Sequence, residues 1–268
     1  MSPSARRFEG RACLVTGSTG IAAAAAEALA AEGARVFITS RNPEHAEQLA
    51  AAITAVGGEA AWQAADLADE TAVESVVEAC VSAFGRLDCV YNVAGLSGRR
   101  FGDGPLDEMT FDGWQQTLAN NATSQFLVCR AAVRRMLGQQ PAANGQRGAI
   151  LNMSSTIARH PAKRHFATHA YAASKGAIES FSLGIAAYYA PHGIRVNVIA
   201  PSLVATPMSE RAQGDAEIMA YVAARQPLAK GALQPHDLVG AALFLLSDDA
   251  LMITGQVLTV DAGWSVSG

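Results

Sequence analysis

The chain has 268 residues, half of them hydrophobic, and a formal net charge of −4. This length and apolar fraction are enough for one large domain with a continuous core, so we expect a single domain over residues 1–268. Nucleic-acid binding is not expected, because phosphate backbones attract concentrated basic surface. No stretch reaches about 18 uninterrupted apolar residues, and "MSPSARRFEG" has no apolar leader core, which predicts a cytoplasmic protein with no membrane partner.

The four cysteines lie in separate apolar stretches, at Cys13, Cys80, Cys89 and Cys129. They form no CxxC pair, and no histidine is spaced with them for metal binding. We therefore expect reduced thiols in the core and no metal site.

Short β-rich runs alternate with longer helical patterns along the chain. The first three pairs are "ACLVTG" with "IAAAAAEALAAEG", "ARVFITS" with "PEHAEQLAAAITAVGG", and "AAWQAAD" with "ADETAVESVVEACVSAF". Further strands are predicted at "LDCVYNVAG", "GAILNMSS", "GIRVNVIAP" and "GQVLTVD", with helices near residues 111–138, 170–190 and 235–247 and a surface loop at "GQQPAANGQRG". This order predicts a Rossmann-like, doubly wound α/β fold, in which a seven-stranded parallel sheet carries helices on both faces.

The first predicted strand runs into "TGSTGIA", in which Gly17 and Gly20 precede a helix. Free amide groups and a helix dipole at such a turn can bind a pyrophosphate, although a simple tight turn has the same pattern. With "YNVAG", "YAASK" and "APSLVATPM" following in order, the chain resembles the short-chain dehydrogenase/reductase family over nearly its whole length. The family opening is TGxxxGxG, whereas this loop is one residue shorter and carries Ala22 at the third glycine. We expect these changes to displace or loosen the pyrophosphate.

The resemblance implies a nicotinamide dinucleotide bound along the strand ends. Its contacts would come from Gly17, Ser18, Thr19, Gly20, Ile21, Ser40, Arg41, Asp66, Leu67, Asn92, Ala94, Gly95, Tyr171, Lys175, Pro201, Val204 and Thr206. At the adenosine ribose, Ser40 replaces the acidic residue of NAD enzymes and Arg41 follows it, so the guanidinium could pair with a 2′-phosphate. We expect NADP(H), with NAD(H) as second choice; a solvated loop arginine is the alternative interpretation of Arg41.

Five of these positions have specific roles in the family. Asp66 would accept a hydrogen bond from the adenine amino group, Asn92 would tie the fourth strand to its neighbour, and Thr206 would contact the nicotinamide carboxamide. Ala94 and Gly95 would form the floor beneath the adenosine.

The candidate catalytic pair is Tyr171 and Lys175 in "YAASK". Residues four apart share one helix face, and a lysine ammonium beside a tyrosine stabilises the phenolate, which predicts a lowered pKa for Tyr171. The resemblance assigns binding of the substrate oxygen to Ser155, with Ser154 as alternative. It assigns a bound water to Asn121, for which Asn120 is the competing choice.

These residues together predict an NADP(H)-dependent oxidoreductase that interconverts a ketone and a secondary alcohol. The alternatives are a cofactor-free lyase or dehalogenase-like member of the same fold, and a non-catalytic nucleotide-binding subunit. The substrate would be a small carbonyl or alcohol compound. Basic residues near the expected substrate side would suit an anionic one, or they form a solvated basic loop: Arg99, Arg100, Arg159, His160, Lys163, Arg164, His165 and His169.

The resemblance also implies a homotetramer. Long helices near 111–138 and 170–190 would pack between subunits, and "TGQVLTVDAGW" would supply an edge strand and a second contact. The mixed Pro, Gly and charged composition of residues 205–233 suits a mobile lid.

Overall fold

A computed structural model describes residues 6–162 and 164–267, so Lys163 of the predicted basic segment lies outside the described residues. The described part of the chain contains one seven-stranded sheet with the order β3-β2-β1-β4-β5-β6-β7, parallel throughout. The strands are β1 (Ala12–Thr16), β2 (Arg35–Ser40), β3 (Glu59–Ala64), β4 (Cys89–Asn92), β5 (Gly148–Met153), β6 (Ile194–Pro201) and β7 (Val257–Val260). The predicted Rossmann-like sheet is confirmed.

The helices follow the predicted alternation. They are α1 (Ile21–Ala31), α2 (Pro43–Ala55), α3 (Glu70–Phe84), α4 (Phe111–Leu118), α5 (Ser124–Gly138), α6 (His169–Tyr189), α7 (Glu210–Gln213), α8 (Ala216–Arg225) and α9 (Val239–Leu246). The helix predicted over 111–138 is interrupted between α4 and α5 by a π-helical turn, Ala119–Thr123. None of the helices described is long and apolar enough to span a membrane.

Alternate residues of β1 to β6 serve two separate cores, one on each face of the sheet. In β1, Cys13 and Val15 join the core under α1, α2 and α9, whereas Ala12 and Leu14 join the core under α3 and α5. This is the period-two pattern of a strand covered on both faces. The alanine run of α1 buries small side chains against the sheet, and all four cysteines are buried free thiols.

The parallel arrangement brings the carboxyl ends of β1, β4, β5 and β6 to one edge of the sheet. Strand β1 pairs with β2 on one side and β4 on the other, so the order of connection reverses there. In open α/β sheets the crevice at such a switch point is where ligands bind. The fold therefore places the glycine loop after β1 beside the residues that follow β4, β5 and β6.

Asp103, which the sequence patterns did not identify, fixes the start of α6. Its two carboxylate oxygens accept the backbone N–H groups of Ala170 and Tyr171, both at 3.0 Å, and its side chain is only 4% exposed. A carboxylate at this position satisfies orphan amides and also favours the positive end of the helix dipole. The loop after β4 is thereby joined to the helix that carries Tyr171 and Lys175.

Replacing Asp103 with alanine should lower the free energy of unfolding by about 1 to 3 kcal/mol, because two buried amides lose a charged acceptor. Urea unfolding measures this loss. Hydrogen exchange should show lost protection at the amides of Ala170 and Tyr171. Asp69→Ala is a matched control, since Asp69 caps α3 by accepting from Ala72 N at 3.0 Å. Unchanged exchange at α6 in Asp103→Ala would contradict this role.

Candidate active site

A cleft of about 490 Å³ opens at the carboxyl edge of the sheet. The predicted site residues that line it are Gly17, Ser18, Thr19, Ile21, Ala94, Gly95, Ser155, Tyr171, Lys175, Pro201, Val204 and Thr206. The predicted residues outside its lining are Gly20, Ser40, Arg41, Asp66, Leu67, Asn92 and Asn121. Candidate catalytic and cofactor-binding residues from β1, β4, β5, β6 and α6 thus face one space.

Lys175 is buried beside Tyr171 on the same face of α6. Its ammonium nitrogen Nζ donates to the carbonyl of Met153 at the end of β5, at 2.9 Å, and lies 5.4 Å from the Tyr171 ring centroid. The side chain is 2% exposed, and this burial lowers the pKa of Lys175 to about 7. Near neutral pH the amine therefore exchanges protons easily.

The pKa of the Tyr171 phenol is raised in the structure, whereas the sequence predicts a lowered one. Burial raises the pKa of Tyr171 to about 12, and a hydrogen bond with Ser155 only partly offsets this rise. We expected Lys175 to lower the pKa of the phenol. That expectation is wrong for the protein alone, because loss of hydration outweighs any stabilisation of the phenolate. The phenol remains protonated at neutral pH.

The two serines after β5 make different contacts. Ser154 is 1% exposed, and its hydroxyl lies 2.8 Å from Glu179 Oε1 and 3.1 Å from the carbonyl of Lys175. Both serines line the cleft, and the Ser155 hydroxyl lies 3.3 Å from the carbonyl of Pro201. The Ser154 hydroxyl is thus engaged by α6, whereas Ser155 forms a hydrogen bond with Tyr171.

The π-helical turn between α4 and α5 separates the two asparagine candidates. Asn121 is fully buried; its Oδ1 accepts from Leu96 N at 3.0 Å, and its Nδ2 donates to the carbonyls of Leu96 and Thr117. Asn120 is partly exposed and accepts a hydrogen bond from Arg41 at 3.2 Å. The extra residue of a π-helical turn aims these neighbours in different directions, which periodicity alone does not indicate.

The shortened glycine loop is closely fitted to its surroundings. Gly20 has a positive φ of 56°, and a Cβ placed on it would lie 2.8 Å from Thr206 Cγ2. A Cβ on Gly17 would lie 3.0 Å from the Ala22 Cβ, and Ala22 itself is 1% exposed. The Ala22 methyl therefore fills space beside Gly17, while Gly20 permits contact between the loop and Thr206.

The remaining predicted cofactor residues lie around the cleft. Arg41 is exposed at the end of β2, and exposed Asp66 accepts from Ala68 N after β3. Asn92 is fully buried and donates to Asn152 Oδ1 on β5 at 2.8 Å, which is the tie to the neighbouring strand that we predicted.

Glu179 is a buried carboxylate that the sequence patterns missed. It lies one helical turn after Lys175, is 5% exposed, and accepts hydrogen bonds from Ser154 and from Arg159 Nε. These contacts join α6 to the turn that follows β5. In sequence, Glu179 looks like any polar residue on a helix, so only the fold reveals its partner.

Residues 205–233, predicted as a lid, leave the sheet after β6, form α7 and α8, and return to the point where they left. We call this segment the excursion. Its two ends meet where Ala205 N donates to the carbonyl of Leu233 at 2.7 Å. Its buried side chains Ala212, Ile218 and Val222 cluster with Trp264, which also lines the cleft. The excursion therefore forms one wall of the cleft.

A family model described as "Enoyl-(Acyl carrier protein) reductase" matches residues 15–265. The chain is 37% identical over 265 residues to D-threitol dehydrogenase of Mycolicibacterium smegmatis, covering 97% of this chain and 95% of that protein. It resembles the structure of a short-chain type dehydrogenase/reductase from Mycobacterium ulcerans, with a TM-score of 0.87, 30% identity, and coverage of 97% and 91%. It also resembles a gluconate 5-dehydrogenase from Burkholderia cenocepacia in complex with NADP and tartrate, with a TM-score of 0.87, 31% identity and 98% coverage of each chain.

The chain belongs to the short-chain dehydrogenase/reductase family and is an NAD(P)-dependent oxidoreductase. The three relatives above are named as dehydrogenases or dehydrogenase/reductases. The alternatives of a cofactor-free lyase and a non-catalytic subunit gain no support from them.

The burial of Lys175 predicts how stability depends on pH in the protein without nucleotide. Its pKa falls from 10.5 to about 7 on folding, so between these values the unfolded chain binds more protons and stability rises with pH. From pH 7 to 9 the free energy of unfolding should rise by on the order of 2 kcal/mol more than in Lys175→Met. Tyr171 does not interfere, because its raised pKa reduces stability only above its ordinary value of 10. Urea unfolding of both proteins at the two pH values tests this, and parallel pH dependence would rule it out.

Proposed function

We propose that the protein interconverts a ketone and a secondary alcohol with NADP(H), using Tyr171, Lys175, Ser155 and Asn121. The observation that carries the proposal is the meeting of a protonated phenol, a serine hydroxyl and a buried amine in one cleft with the glycine loop. A carbonyl reduction needs a proton donor and a hydrogen bond to the substrate oxygen, which Tyr171 and Ser155 are suited to supply.

The residues of the cleft fit a nicotinamide dinucleotide. The space continues from Gly17 past Ala94 to Lys175, and the buried hydroxyl of Ser202 in its wall has no protein partner among the described residues. Such an orphan hydroxyl is costly unless a ligand or water satisfies it. When bound, the cofactor would supply or accept the hydride.

Two observations favour NADP(H) over NAD(H). Ser40 places no carboxylate at the end of β2, and exposed Arg41 can turn from Asn120 toward a 2′-phosphate. The gluconate 5-dehydrogenase of Burkholderia cenocepacia binds NADP in its structure. Asp66 and Thr206 are assigned to the adenine and carboxamide ends by the family resemblance.

The chain's own residues would perform the proton chemistry. Tyr171 donates its proton to the carbonyl oxygen held by Ser155. Lys175, whose pKa is near neutrality, then returns a proton to the Tyr171 phenolate. Asn121 holds the loop after β4 through both Leu96 contacts and would position the water that links Lys175 to solvent. In the oxidative direction the high pKa of Tyr171 predicts faster turnover at alkaline pH.

The substrate is proposed to be a small hydroxylated compound or its ketone. The names of two relatives specify threitol and gluconate, which are both short polyhydroxy chains. We further propose a homotetramer, because α4, α5 and α6 expose the large apolar side chains Phe111, Phe126, Leu137, Leu183 and Tyr188.

Replacing Tyr171 with phenylalanine should reduce turnover about 10²-fold or more, because the proton donor is lost while the ring remains. Absorbance of NADPH during reaction with a panel of polyols, aldonates and matching ketones measures the rate, and NADPH fluorescence should show nearly unchanged binding. Tyr91→Phe is the matched control: the Tyr91 hydroxyl is buried outside the cleft and has no partner among the described residues. Near-normal turnover in Tyr171→Phe would reject the mechanism.

Arg41→Asp should weaken NADPH binding by about 1.5 to 3 kcal/mol, because a charge-assisted contact with the 2′-phosphate is replaced by repulsion. NADH binding should change less. Arg134→Asp controls for net charge, since Arg134 is 61% exposed on α5 and pairs with Glu74 outside the cleft. Fluorescence titration with both nucleotides gives the affinities; an unsubstituted protein that prefers NADH would contradict the assignment.

A further inference from the structure

The cleft is basic and has no acidic lining. Arg99, Arg100 and Arg211 line it together with Lys175, and no aspartate or glutamate lies among the described residues of its wall. A cavity lined by one sign of charge concentrates ligands of the opposite sign. The walls therefore carry positive charge without a counter-charge of their own.

Arg99 and Arg211 reach the cleft from segments that are far apart in the chain. Arg99 belongs to the 3₁₀ turn Gly98–Phe101 after β4, and Arg211 belongs to α7 of the excursion over residues 205–233. Both donate a terminal guanidinium nitrogen to the carbonyl of His165, at 3.1 and 3.4 Å. Two cations from distant parts of the chain are thus held next to each other.

The shared acceptor lies in a strained backbone. His165 has a φ of 68°, a backbone conformation that residues other than glycine rarely adopt. The centroid of its ring lies 5.4 Å from that of the Tyr221 ring on α8. Strain of this kind persists only where surrounding contacts impose it, and it is concentrated at functional sites. Here the strained residue is the one whose carbonyl accepts hydrogen bonds from both arginines.

Nearby carboxylates offset the charge of the pair only in part. The charge of Asp103 raises the pKa of Arg99, but its oxygens accept the amides at the start of α6, and among the described residues neither arginine forms an ion pair with it. Glu217, 3.7 Å from the His165 ring, is 79% exposed and outside the cleft lining. Burial and the charge of Arg211 lower the pKa of Arg99 by more than Asp103 raises it, as expected for neighbouring cations that lack a paired carboxylate.

We propose that Arg99 and Arg211 form a carboxylate-binding site that selects hydroxy or keto acids over neutral polyols. A carboxylate between them would accept charge-assisted hydrogen bonds from both guanidinium groups and remove their mutual repulsion. The rest of an acid bound there extends into the cleft that Tyr171 and Ser155 also line. This inference rests on the proposed function for its substrate, but the binding site can be tested separately.

The test compares aldonates of four to six carbons with the alditols of the same length. For Arg99→Gln and Arg211→Gln, kcat/KM for aldonates should fall about 10- to 100-fold, while kcat/KM for the matched alditols changes less than about twofold. Arg99→Lys should recover only part of the loss, because it keeps the charge but not the planar fork. Arg164→Gln is the control for the general effect of positive charge near the cleft. Arg164 directly precedes His165 and is exposed, but it does not line the cleft.

Calorimetric titration with gluconate and sorbitol separates this proposal from the catalytic one. If hydride transfer is absent but gluconate binds and requires both arginines, the carboxylate site stands and the proposed reaction fails. If alditols bind and react as well as aldonates, or if Arg164→Gln has the same effect as the cleft variants, the site is rejected. Preferential binding of sorbitol 6-phosphate over gluconate would also overturn it. Arg211 is exposed on a short helix, so its variant should fold even if Arg99→Gln does not.

Discussion

The attachment of α6 to the carboxyl end of β5 is the interaction on which the rest of the site depends. The Lys175 amine donates to the last carbonyl of β5, Ser154, the next residue, hydrogen-bonds to Glu179, and Asp103 holds the first turn of the helix. Each contact lies in a buried setting, where a missing partner costs more than it would at the surface. Tyr171 is consequently held within hydrogen-bond distance of Ser155 by three contacts that α6 makes with β5, with the residue after β5 and with the loop after β4.

Burial affects the titratable groups around this attachment in two different ways. The carboxylates of Asp103 and Glu179 are buried but fully engaged, by backbone amides in one case and by Ser154 and Arg159 in the other. Tyr171 and Lys175 face the cleft, where burial favours the neutral form of each. At neutral pH Tyr171 therefore stays protonated and Lys175 can gain or lose a proton, while the two carboxylates are fixed by their hydrogen bonds.

The wall formed by residues 205–233 couples the two ends of the cleft. Thr206 lies against Gly20 of the shortened loop, while Arg211 meets Arg99 at the carbonyl of His165. The two ends of this excursion are hydrogen-bonded to each other at Leu233, so the segment that carries both contacts is fixed at its base. The short glycine loop and Thr206 fit closely against each other, since a Cβ on Gly20 would clash with the Thr206 methyl group.

The sequence by itself determined the seven strands and the parallel sheet, because periodicity and glycine turns are local signals. The "YAASK" spacing likewise put Tyr171 and Lys175 on one helix face, whereas Ser155 and Asn121 were predicted from the family resemblance. Chain order also indicated the cleft, since parallel strands end at a common edge. Only the tertiary structure decided the pKa of Tyr171, the different surroundings of Ser154 and Ser155, and the partners of Asp103, Glu179 and Arg211. These depend on burial and on contacts between residues far apart in the chain, such as Asp103 with Tyr171 or Arg99 with Arg211, and no local pattern records which distant groups will meet.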